Sequence, residues 1–134
     1  MTENATGLPP IKKGDRYGYG SYQDLIGTFD AELLLYVEQK DFQGDSWALL
    51  GRGLERGFLT FGWGSCSGCD ALEACDSDED ATELRDSLYR SIHWEADSAK
   101  LRAYLSTKDF ATEWYGRQDE FRDEFLPKAL EMLA

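Results

Sequence analysis

A chain of 134 residues with 26 acidic and 14 basic side chains carries a formal charge of −12, which repels phosphate backbones and anionic bilayer surfaces and argues against direct nucleic-acid or membrane partners. The length fits one domain, and seven Phe, seven Tyr and four Trp supply enough ring area for a core. No run reaches the roughly 20 apolar residues of a membrane span. The N-terminal stretch lacks the apolar middle of a signal peptide, so a cytoplasmic protein is expected.

In chain order, residues 1–14 hold Gly7, Pro9, Pro10 and Gly14 among polar residues, a composition that punctuates rather than packs; the expectation is a flexible leader followed by a single domain over residues 15–134. Tyr17, Tyr19 and Tyr22 alternate with glycines in a strand or loop against the core, with a binding platform as the alternative. Residues 32–38, with Leu33-Leu34-Leu35-Tyr36-Val37 at their centre, have the length and apolar continuity of a buried strand. Residues 46–51 and 57–63 supply two more strands, separated by a glycine-rich turn. Connections this short favour an antiparallel meander, because parallel pairing needs a crossover of a dozen or more residues.

Past the cysteines the period changes from two to about 3.6. Leu84, Leu88 and Ile92 form an i, i+4, i+8 stripe predicting one helix over residues 80–96. Ser98 opens a shorter helix carrying Leu101, Tyr104 and Leu105. A last helix places Phe121, Phe125, Ala129 and Leu133 on one face, where Pro127 must either kink it or start a new one. The expected fold is α+β: a small antiparallel meander of three to four strands in the first half, packed against three or more helices in the second. Residues 65–134 hold 17 of the 26 acidic residues and 8 of the 14 basic ones, so the acid belongs to the helical half.

The segment between the halves, residues 62–75, contains Gly62, Gly64 and Gly68 with Cys66, Cys69 and Cys75. Asp70 and Glu73 have the spacing of a capping box, which predicts a helix starting at Asp70 and places Cys69 beside its N-terminus, where a thiolate is favoured. Three readings stay open. Cys66 and Cys69 have the two-residue spacing of a zinc site that Cys75 and His93 would complete as a Cys₃His set. Cys-Ser-Gly-Cys between strand and helix fits a thiol-redox site, without the βαβ context that supports one. The bland alternative is that the thiols pack as small hydrophobes and the glycines serve turn geometry alone. An odd cysteine count excludes full pairing within one chain and fits a reducing compartment.

The string Gly64-Ser65-Cys66-Ser67-Gly68-Cys69-Asp70-Ala71-Leu72, with Tyr19-Gly20-Ser21-Tyr22 before it and Ser91-Ile92-His93-Trp94 after it, resembles a group of small bacteriophage and prophage proteins, those of actinobacteriophages in particular. The resemblance covers residues 17–105. It implies a phage origin and brings no activity with it. Cys75 departs from that group's pattern, which weighs against a zinc model that needs it.

Asp76, Asp78 and Asp80 imitate the first acidic positions of an EF-hand, but Ala81 stands where glycine is required and Ser87 where a bidentate glutamate belongs; acids opening a helix are the simpler account. His93 is the only histidine, and it lies beside Ile92 on the expected apolar face. No nucleophile elbow, phosphate loop or HExxH motif occurs. Three functions follow as expectations. The leading one is a non-enzymatic accessory protein, acting in host takeover or counter-defence by binding a host protein, a basic one being a candidate, through its acidic surface; a homodimer is compatible with it. The second is a zinc or thiol protein centred on Cys66 and Cys69. The third is a small-ligand protein whose pocket, between sheet and helices, gathers Tyr19, Tyr22, Trp63, Asp70 and Trp94.

Overall fold

The computed structural model describes residues 6–15, 18–40, 44–64, 70–108 and 119–134. A four-stranded antiparallel sheet of order β1-β2-β3-β4 is built from β1 (Glu32–Glu38), β2 (Gly44–Arg52), β3 (Glu55–Trp63) and β4 (His93–Glu95). The helices are α1 (Tyr22–Ile26), α2 (Asp78–Arg90), α3 (Ser98–Thr107), a π-helical turn over Phe121–Phe125 and α4 (Leu126–Leu133). The α+β class and the meander are as the sequence predicts, with the fourth strand returning after α2.

The sheet is covered on both faces. Side chains alternate along a strand, and in β2 Ala48 and Leu50 enter one cluster with Leu8, Ile11, Leu25, Ile26, Leu59, Ala81 and Leu88. Trp47 and Leu49 enter another with Phe58, Leu101, Leu105, Phe121, Phe125, Ala129 and Leu133. Double-sided burial explains why residues 47–50 read as one apolar run. In β1 the register slips between Leu33 and Leu35, a bulge that sends Leu34 and Leu35 to the same face as Val37.

Three local expectations are corrected. The helix predicted over residues 80–96 ends at Arg90, and His93 to Glu95 pair with β3 as Phe58↔His93 and Gly57↔Trp94. Gly57 permits this: a Cβ there would lie 2.8 Å from Ile92 and 3.0 Å from Trp94. Ile92 still packs in the cluster that holds Leu88, so the stripe predicted burial correctly and secondary structure wrongly. Asp70 does accept the Glu73 amide at 3.0 Å, but a turn over residues 71–74 follows, and the helix starts at Asp78 under a Ser77 cap. Finally, Leu8 and Ile11, in the stretch expected to be a flexible leader, are 7% and 6% exposed and belong to the core.

Those N-terminal residues form a strap tied across α2. The buried Arg85 side chain donates to the Pro9 carbonyl, to Thr28 Oγ1 at 2.7 Å and to Asp86 Oδ1 at 2.7 Å. Thr6 donates to Asp86, and the Ile11 amide donates to Thr82 Oγ1 at 2.9 Å. At the chain's other end, Pro127 falls in the first turn of α4. The preceding π turn, in which the Leu126 amide reaches the Phe121 carbonyl, takes the chain into α4 so that Phe121, Phe125, Ala129 and Leu133 all remain buried.

Candidate functional site

A groove of about 1220 Å³ opens where the strap, α1, the ends of β1 and β3 and the turn after Asp70 converge. Its formation begins with a cap. Ser21 and Asp24 make a reciprocal capping box that starts α1, and Gly20, at φ +81°, lies where a Cβ would strike the Asp24 carboxylate. This turn presents Tyr19 and Tyr22 to one wall. Tyr36 and Glu38 of β1, Trp63 of β3, and Asp70, Glu73, Cys75 and Asp76 supply much of the rest.

Three phenols of the groove each donate to a carboxylate. Tyr19 donates to Asp78 Oδ1 at 2.7 Å, Tyr22 to Asp70 Oδ1 at 2.8 Å and Tyr36 to Glu38 Oε1 at 3.0 Å. Burial and the Asp78 carboxylate push the Tyr19 phenol up to about 12. Burial first, then the carboxylate partner, raises Tyr22 further still, and Tyr36 is raised by burial and by Glu38. Asp78 is correspondingly held below the usual carboxylate range by the Tyr19 hydroxyl and the Lys13 amide. These bonds, with the Asp76 amide's bond to Asp80 at 3.0 Å and the Ser77 cap on the Asp80 amide, engage the carboxylates of Asp78 and Asp80, two of the three EF-hand-like acids, in opening a helix.

Asp70 is the structural pin. It is buried, and it accepts from the Tyr22 hydroxyl, the Gly64 amide at 2.9 Å and the Glu73 amide. The Tyr22 oxygen in turn accepts from the Leu72 amide at 3.2 Å, and the Tyr22 ring lies 4.7 Å from that of Phe61. The two chain segments that meet here are thereby fixed against α1.

The predicted site residues are thus brought together in part. Tyr19, Tyr22, Trp63 and Asp70 line one groove. Trp94 does not join them: it lies opposite Gly57, with the Arg52 guanidinium 4.3 Å over its ring. His93 is 2.6 Å from Glu95 Oε2 and stacks on Tyr104 of α3 at 3.7 Å, whereas Cys75 packs against the cluster on the other side of the sheet. The proposed Cys₃His set therefore loses His93 to a different face. Burial and the charges of Asp80, Asp70 and Asp76 raise the Cys75 thiol above its ordinary value. Among the described residues no group of three or more His, Cys, Asp or Glu is placed to hold a metal ion. Cys66 and Cys69 lie outside the described residues.

Sequence reasoning missed Tyr36, Glu38, Glu73 and Asp76 as groove residues, and it missed Arg85. A signal existed for the last: Ala81, Arg85 and Leu88 fall on one helical stripe, and a charge within an apolar stripe demands partners. No helix among the described residues is long and apolar enough to cross a membrane. Comparison with protein-family models, with curated proteins and with solved structures finds no match to the chain.

Proposed function

We propose that this chain is a phage-type accessory protein that binds a host protein in the cytoplasm of the infected cell and works by occupation, without catalysing a reaction. The observation that carries the reading is the groove itself, which gathers Tyr19, Tyr22, Trp63 and Asp70 from three separate stretches of sequence into one lining. Aromatic side chains that present an apolar body and a polar edge are the usual anchors of protein recognition. The one histidine is not among the lining residues. A charge of −12 adds long-range attraction for a basic partner, raising on-rate and excluding acidic competitors.

The test is retention of a host protein from lysate on the immobilised chain at low and at moderate salt. One specific protein is expected, retained less as salt rises, because attraction between exposed charges is screened beyond about 10 Å at 0.1 M. Retention of no specific protein, or retention indifferent to salt, sinks the reading.

A further inference from the structure

We propose that the groove docks a segment of its protein partner through a lysine or arginine side chain, whose cationic end lies over the Tyr19 ring and takes the place that Lys13 holds in the free chain. The inference rests on the protein-binding reading above and specifies the chemistry of what enters.

Two independent observations select a cation. The first is the balance of the lining: Glu38, Asp70, Glu73, Asp76 and Glu124 stand against Lys13 and Lys40 alone. Glu73 and Asp76 are exposed at the rim and carry no ion pair among the described residues. The second is how the groove treats its own cations. Lys13 Nζ sits 5.9 Å from the centroid of the Tyr19 ring, and Lys40 Nζ is 2.8 Å from Glu124 Oε2. The chain turns its own ammonium groups to this lining, one toward the Tyr19 ring, which is 7% exposed, and one to a carboxylate at the solvent-exposed edge.

The tyrosine hydroxyls strengthen this preference. A ring face attracts a cation through its quadrupole, and a hydrogen bond donated to a carboxylate polarises the phenol toward more electron density. Tyr19 and Tyr22 are both bound in this way. An anionic ligand would meet uncompensated carboxylates, and a neutral apolar one would desolvate Glu73 and Asp76 for no return.

The experiment is an amide-detected NMR titration of the full chain with a short peptide alternating glycine and lysine, beside the same peptide with norleucine in place of lysine. The lysine peptide should shift Tyr19, Tyr22, Trp63 and Glu73, and the norleucine peptide should not. Glu73→Gln with Asp76→Asn, both at exposed positions, should weaken the lysine peptide by about three- to tenfold. Lys13→Met should tighten it by about two- to fivefold, because the resident cation no longer competes. Equal binding of the norleucine peptide, shifts spread over α2 instead of the groove, no shifts at all, or weaker binding by Lys13→Met would each overturn the inference. The host-lysate experiment separates the two levels. A host protein retained equally by the wild type and the double variant removes the cation-docking inference and leaves protein binding standing. Groove shifts with the lysine peptide, but no retained host protein, do the reverse.

Discussion

The two faces of the sheet are stabilised by different means. Beneath α3, the π turn and α4 the contacts are apolar, with Phe58, Phe121 and Phe125 within 5.6 to 6.2 Å of one another. Beneath the strap, α1 and α2, apolar side chains are interleaved with polar groups that pair across long stretches of sequence: Arg85 with Pro9 and Thr28, Thr6 with Asp86, Tyr22 with Asp70. Apolar burial is non-directional and supplies stability. A satisfied polar network fixes which segment lies where, and the groove's Tyr19, Tyr22 and Asp70 belong to the face that has one.

If that contrast holds, truncating a ring on the apolar face should have the largest effect on global stability. Phe125 is fully buried, and Phe125→Ala should cost about 3–5 kcal/mol, the transfer term plus the cavity it leaves. Chemical denaturation measures it; a loss below about 1 kcal/mol would mean that this face is not the stabilising one. Arg85→Ala should cost about 3 kcal/mol, because it leaves Asp86 buried beside an emptied guanidinium site. Its signature should be local as well as global. Hydrogen exchange at the Ile11 amide, bonded to Thr82, should accelerate more than exchange in α4, as the strap loses its anchor. Uniform acceleration would erase the distinction between the faces.

A carboxyl breaks the pattern on the apolar face. Asp45 shares strand parity with Trp47 and Leu49, and its Oδ2 has no hydrogen-bond partner among the described residues. Burial alone pushes its carboxyl up to about 6. A carboxyl whose folded pKa exceeds its unfolded value stabilises the fold when protonated, so this contribution is complete below about pH 4 and is lost as pH rises through about 6. Asp45→Asn should therefore stabilise the protein by about 2–3 kcal/mol at pH 7.5 and by little at pH 4. The backbone bond from Asp45 to Gln39 Oε1 at 2.8 Å survives the substitution. Equal effects at both pH values would show that Asp45 is not the group responsible.

How much could be read from sequence follows the same division. The first three strands and the last helix were legible because their signal is apolar periodicity, which responds to burial directly: β1 over Glu32–Glu38 and the Phe121, Phe125, Ala129, Leu133 face needed nothing more. Periodicity failed at Ile92, which reaches the same cluster from the position just before β4, because the close approach over Gly57 that admits this strand has no local pattern in the sequence. It also failed for residues 6–13, where two apolar residues and four polar attachments secure a segment whose prolines and glycine read as a leader. Of the site, the aromatic members were legible from residue type. Their carboxylate partners lie 48 and 59 positions away in the chain and carry no local pattern. The same lack of pattern placed Trp94 in a groove that it does not reach.

The smallest effect should come from the hydroxyl of Tyr22, and it probes the polar face most specifically. Tyr22→Phe keeps the ring against Phe61 and removes one atom that both donates to Asp70 and accepts from Leu72. A net loss of about 1 kcal/mol is expected at neutral pH, since Asp70 retains the Gly64 and Glu73 amides while Leu72 loses an acceptor. The pH dependence supplies the sharper test. Burial and Asp70 raise this phenol above its ordinary value of 10, so the folded state resists its ionisation, and the stability present below pH 10 is lost as pH rises beyond it. Tyr22→Phe should remove that part of the alkaline loss, bringing the unfolding midpoints of variant and wild type together as pH climbs past 10. A gap that stays constant would mean that the hydroxyl is solvated in the folded chain, and that Asp70 is pinned by backbone amides alone.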